Sequence, residues 1–131
     1  MKIYIASRFK GADDHVDVEA LCSAVRAAGF EDYCFVRDVV EAFEDPRHLW
    51  QRALEEIKHC DELLIDVSDA PSGGRVVEAG IAYALGLPII TICKNNIEYK
   101  ELYDGISDLV IRYDGYDDIS PALSDWVEHK K

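Results

Sequence analysis

Four short apolar runs recur along this chain: "KIYIA" (2–6), "ELLIDV" (62–67), "PIITIC" (88–93) and "DLVIRY" (108–113). Each is too short for a helix and rich in β-branched residues, so each predicts a buried strand. Helix-length segments separate them, which predicts a parallel sheet with helices on both faces. A further run, "YCFVR" (33–37), supplies a fifth strand. The expected fold class is therefore α/β: a three-layer α/β/α sandwich around a flavodoxin-like, five-stranded parallel sheet. The strand order expected is 2-1-3-4-5, which keeps every crossover right-handed. A length of 131 residues suits a single domain spanning 1–131, large enough to bury a core without disulfides.

The helices carry their own punctuation. Val18, Leu21, Cys22, Val25 and Ala28 fall at helical spacing, and Gly29 is a natural stop. "PRHLWQRALEEIKHC" follows Asp45, a good N-cap, with Pro46 at the first helical position. "RVVEAGIAYALG" predicts a largely apolar helix ending at Gly86, and "ISPALSDWVEHK" a closing helix. "NNIEYKELYDGIS" reads as an irregular or short helical connection.

Composition narrows the partners. The formal net charge of −12 repels phosphate polymers, so a broad DNA or RNA surface is excluded, while a small anion held by local donors is not. Cys22, Cys34, Cys60 and Cys93 form no C-x-x-C pair and sit in apolar segments, as buried thiols of a reducing compartment do. The run from Ile81 to Ile92 contains Gly86 and Pro88 and falls short of the ~20 apolar residues of a membrane span. These features predict a cytoplasmic protein with no membrane partner. The four histidines, His15, His48, His59 and His129, are scattered, and no His/Cys cluster has metal-ligand spacing.

In a sheet of this order the ligand sits beyond the carboxyl ends of the strands, at the switch between strands 1 and 3. The loops leaving those strands are "SRFKG" (7–11) and "SDAPSGG" (68–74). The first offers Ser7, Arg8, Lys10 and the backbone near Gly11. The second opens a helix whose N–H groups favour negative charge. Neither matches a Walker loop or a dinucleotide fingerprint. Next comes Glu78, an acid among Val76, Val77, Ala79, Ile81 and Ala82, all of which read as buried. A helix capped by Ser72 or Gly74 places Glu78 beyond the third helical position, so a capping box does not account for it. Gly74, Ala79, Gly80 and Ala82 leave room beside the carboxylate for a ligand. The bland alternative is an ion pair with a base such as Arg75 or Arg52, or an acid that reaches solvent. Tyr4, on the first strand, faces the same crevice and could donate its hydroxyl to Glu78.

"KIYIAS" together with "CDELLIDVSDAPSGGRVVEAGIAYALGLPI" resembles the nucleoside 2-deoxyribosyltransferase superfamily, which includes the 2′-deoxynucleoside 5′-phosphate N-hydrolases. The shared pattern is a strand ending in an acid, a loop with Pro and Gly, then E-x-G-x-A-x-A and another strand. The resemblance implies cleavage or transfer of an N-glycosidic bond through a glutamyl-sugar intermediate. It makes Glu78 the nucleophile and Tyr4 the residue that holds it. Ser72, six residues before Glu78, matches the phosphate-binding serine of the hydrolases rather than the acid of the transferases, and Lys10 matches a basic residue of the phosphate loop. The implied substrate-binding set is Ser7, Arg8, Lys10, Gly11, Asp69, Ser72 and Gly74, for a nucleoside or its 5′-monophosphate. No cofactor or metal is implied. A homodimer or higher homo-oligomer is, with a partner-subunit residue near the position of Lys100.

One departure stands out. The family carries an aspartate in the second helix that assists the leaving base, eight residues before Asp61 here, and that position is Ala53. Another group substitutes (Asp66 and Asp69 are the nearest candidates), or the base leaves unaided, or turnover is lost. The last possibility defines the alternative reading, a nucleotide-binding or sensing module of the same fold. A phosphoacceptor receiver with Asp66 as its acid is a third option, set back by the basic character of "SRFKG".

Overall fold

A computed structural model describes residues 1–7, 12–39, 43–69 and 73–130. The strands are β1 (Lys2–Ala6), β2 (Glu31–Tyr33), β3 (Glu62–Asp66), β4 (Ile89–Lys94) and β5 (Leu109–Tyr113). The α-helices are α1 (Ala12–Ala27), α2 (Phe35–Asp38), α3 (Pro46–Lys58), α4 (Gly73–Ala84) and α5 (Ile119–Lys130). Glu101–Gly105 and Tyr116–Asp118 form short 3₁₀ turns. All pairings in the sheet are parallel and the order is β2-β1-β3-β4-β5, as expected from the crossover rule.

Strand alternation divides the core into two layers. Ile3, Ile5, Leu64, Ile90, Ile92 and Ile111 face α1 and α5, packing on Val18, Leu21, Val25, Ile119 and Leu123. Tyr4, Ala6, Leu63, Ile65, Ile89 and Cys93 face the opposite side, against Ile57 of α3 and Ala79 and Ala82 of α4. Tyr4 is thereby aimed at α4, the helix that carries Glu78. All four cysteines are buried and reduced.

The helix ends follow the expected chemistry. Asp45 accepts a hydrogen bond from the Arg47 amide at 2.9 Å, capping α3 ahead of Pro46. Gly29 and Gly86 adopt φ of 95° and 79°, the left-handed conformation that terminates a helix. At Gly86 the bonds Gly86 N to Tyr83 O and Leu87 N to Ala82 O complete a Schellman motif.

Two expectations need correction. The second strand covers Glu31–Tyr33 rather than 33–37, and Phe35–Asp38 is one helical turn. The cause is Asp38: its carboxylate accepts from the Cys34 amide at 2.9 Å, and its own amide bonds back to the Cys34 carbonyl. This local alternative outcompetes edge-strand pairing. On α4, Val76 and Val77 are exposed by 50% and 46%. The buried stripe is Arg75, Ala79 and Ala82, at spacings of four and three, so the two valines project from the other side.

Candidate active site

Glu78 lies in the second turn of α4, half-buried against β1. The Tyr4 hydroxyl donates to its Oε2. Tyr4 is fully buried, and its ring stands beside that of Tyr33 on β2, centroids 5.5 Å apart. Burial raises the Glu78 carboxyl to about 7, while the Tyr4 hydrogen bond and the nearby Arg75 charge pull it down. Burial, reinforced by the Glu78 carboxylate, holds the Tyr4 phenol above its ordinary value. Tyr4 thus remains a proton donor to Glu78 throughout the neutral range.

The two bases considered as partners for Glu78 hold other acids. Arg52 bonds Glu56 one turn along α3 at 2.9 Å. Arg75, only 3% exposed, meets both Asp69 oxygens at 3.0 Å and donates to the Asp66 carbonyl at 2.7 Å. These contacts join the end of β3 to the first turn of α4.

Asp66, raised above as a substitute acid, points the other way. Leu64 and Asp66 share the face turned toward α1 and α5, opposite Tyr4 and Glu78. The Asp66 carboxylate accepts from the Ser68 amide at 3.0 Å, the Ser68 hydroxyl at 2.6 Å and the Tyr113 hydroxyl at 2.7 Å. The Ser68 hydroxyl in turn accepts from the Lys94 amide at 2.9 Å. The network ties the carboxyl ends of β3, β4 and β5 together, a role that sequence reading missed because Tyr113 is 47 residues from Asp66. Ala53 is 2% exposed, so the position of the usual leaving-group acid is part of the apolar interior.

Among the described residues, two clefts lie beyond the carboxyl ends of the strands. One, of about 240 Å³, is lined by Ser7, Asp17, Asp66, Ser68, Asp69, Lys94, Asn96, Ile97 and Tyr116. The other, of about 320 Å³, is lined by Val67, Ser68, Asp69, Ile97, Glu98, Lys100 and Tyr103. They share Ser68, Asp69 and Ile97. Glu78 lines neither, but Asp69 joins both to the Arg75 contact one turn from Glu78. Arg112 fixes the segment after β4, donating to the carbonyls of Lys94 and Ile97 at 3.0 and 2.6 Å.

The structure therefore brings Tyr4 and Glu78 together, places Ser7 and Asp69 on a cleft wall, and puts Gly74 in the first turn of α4. The assignments to Arg8, Lys10, Gly11 and Ser72 lie outside the described residues. Sequence reading did not foresee the Arg75–Asp69 pair, because Glu78, Asp66 and Asp69 all lie within reach of Arg75 along the chain. Among the described residues, no cluster of His, Cys, Asp or Glu is arranged to hold a metal, and no helix is long and apolar enough to cross a membrane.

No family model and no curated protein matches the sequence. Solved structures do. A CMP N-glycosidase from Clostridium botulinum superposes with a TM-score of 0.68 at 21% identity, over 94% of this chain and 98% of that one. A 2-deoxyribosyltransferase from Bacillus psychrosaccharolyticus gives 0.74 at 18% identity, over 94% and 96%. A response regulator receiver protein from Sinorhizobium medicae gives 0.57 at 16% identity, over 99% and 96%. At such identities the likeness establishes the fold, and the sandwich read from the sequence is the fold these proteins share.

Proposed function

We propose that this chain is an enzyme of the nucleoside 2-deoxyribosyltransferase superfamily, acting on the N-glycosidic bond of a nucleoside or its 5′-monophosphate. The observation that carries the reading is the Tyr4–Glu78 hydrogen bond: a half-buried carboxylate at the switch-point side of the sheet, held by a buried phenol. Similarity of fold to an N-glycosidase and a deoxyribosyltransferase supports it, and this architecture hosts enough other functions that the site must carry the argument.

In the proposed reaction a Glu78 oxygen attacks C1′ as the C1′–N bond breaks, and the bonding pair leaves with the base. The result is a glycosyl ester on Glu78. Water then adds at C1′ as the C1′–O bond to Glu78 breaks and its spare proton passes to solvent, returning the carboxylate and releasing the sugar or sugar phosphate. In a transferase a second base replaces water. Tyr4 orients Glu78 and stabilises its charged form. Ser7, Arg8, Lys10, Gly11, Ser72 and Gly74 form the proposed phosphate cradle at the helix N-terminus. Holding a non-reacting phosphate lets binding energy act on the barrier at the sugar. Asp69 holds Arg75 and Asp66 faces the other layer, so neither supplies the departing base with a proton. The base leaves with its proton drawn from solvent.

The second reading is a nucleotide sensor without turnover, favoured by the buried Ala53 and by the commitment of both nearby aspartates. One experiment separates them: incubation with a panel of nucleosides and 5′-monophosphates, scored by chromatography for free base. An enzyme releases base and Glu78→Ala abolishes release. A sensor gives only a ligand-dependent rise in Tm. We also assign the molecule to the cytoplasm, where its buried thiols stay reduced. A homodimer seated on the exposed apolar side of α4 (Val76, Val77, Tyr83) completes the proposal, with light scattering as its test.

A further inference from the structure

Arg75 is a guanidinium in the protein interior, and such a charge is retained only with good partners. Its partners, Asp66 and Asp69, lie at the exit of β3. Nη1 reaches the Asp66 carbonyl at 2.7 Å and Asp69 Oδ1 at 3.0 Å, and Nη2 reaches Asp69 Oδ2 at 3.0 Å. This fork-on-fork pairing fixes angle as well as distance. Arg75 lies three residues before Glu78, so the two side chains are neighbours on one helix surface. Asp69 also forms part of both cleft walls.

We infer that Arg75 and Asp69 form a positioning pair for Glu78: Arg75 anchors the entry to α4 and supplies positive charge beside the carboxylate, and Asp69 limits that charge. The inference rests on the reading of Glu78 as the nucleophile, but the arrangement itself is independent of turnover. Among the described residues, polar groups approach Glu78 from several elements. Tyr4 donates to it from β1, with Tyr33 of β2 behind. α3, which packs against α4, carries Arg52 and Glu56, bonded to each other. From the β3 exit come Asp66 and Asp69, both contacting Arg75. The Arg75 charge opposes the burial that disfavours ionised Glu78.

Opposite variants should act in opposite directions. Arg75→Gln removes the cation, so Glu78 ionises at higher pH. Asp69→Asn keeps the cation and removes its counter-charge, so Glu78 ionises at lower pH. Arg75→Lys keeps charge but loses the fork, so ionisation stays near that of the parent while substrate KM rises through a looser helix entry.

The test is a carboxylate titration of Glu78 in the ligand-free protein, by infrared or carbon NMR difference against Glu78→Gln. The expected midpoints are about one pH unit or more higher in Arg75→Gln, lower in Asp69→Asn, and nearly unchanged in Arg75→Lys. If Arg75→Gln does not fold, the downward shift in Asp69→Asn and the unmoved midpoint in Arg75→Lys still decide the matter. Midpoints that do not move, or that move the same way in Arg75→Gln and Asp69→Asn as a loosened site would, overturn the inference. Because no substrate is involved, a wild-type protein that releases no base refutes the proposed function while leaving this result intact.

Discussion

Glu78→Gln should make the protein more stable, and increasingly so as pH rises. Burial lifts the Glu78 carboxyl from its ordinary 4.5 to about 7. A carboxyl raised in the folded state favours folding while protonated, so its contribution is complete below about 4.5 and is lost as pH rises through about 7. At ~1.4 kcal/mol per pH unit the loss amounts to about 3 kcal/mol by pH 8.5. Glutamine has nearly the same shape, accepts the Tyr4 hydrogen bond and carries no charge to desolvate. Urea denaturation of both proteins from pH 5 to 8.5 isolates this group, because every other titration is common to the two. The stability difference should grow by about 2–3 kcal/mol in favour of glutamine across that range. A difference that stays flat, or that turns against glutamine at high pH, refutes the picture of a carboxylate held at a cost in stability, the kind of cost functional sites bear.

Other changes probe separate parts of the structure. Tyr4→Phe removes the donor that favours ionised Glu78, so the Glu78 titration midpoint should move further up, with a loss of about 1–3 kcal/mol in urea at pH 8. Tyr113→Phe takes one donor from buried Asp66 and should cost about 1–3 kcal/mol, read as a lower urea midpoint with unchanged slope. Gly80→Ala lies on the exposed side of α4, where an added Cβ meets nothing within 4 Å in the single chain and φ is not positive, so it should raise the stability of the monomer by about 0.5–1 kcal/mol.

The sheet was legible because each strand after the second is a short apolar run closed by a turn, and because crossover handedness leaves few orders for five such strands. The Tyr4–Glu78 meeting was also within reach. Alternation along β1 decides which layer Tyr4 joins, and the switch in strand order decides where a ligand sits. The second strand was misplaced because "YCFVR" has strand composition, whereas the Asp38 carboxylate bonding the Cys34 amide is a local competitor that composition does not weigh. Val76 and Val77 read as buried because they flank Glu78 in an apolar run, yet the stripe through Arg75, Ala79 and Ala82 takes the sheet side. The destination of Arg75 was hidden for a different reason. Its partner is an acid six residues earlier, at the exit of β3, and several nearby acids were equally plausible on sequence alone.

The most direct measurement is intact-protein mass spectrometry after incubation with 2-fluoro-sugar nucleosides and 5′-monophosphates, followed by peptide mapping. A glycosyl ester on the α4 acid, with free base in equal amount and neither product in the Glu78→Ala protein, is the predicted result. Base released without an adduct from the variant as readily as from the parent, or a label carried by any other side chain, would contradict it.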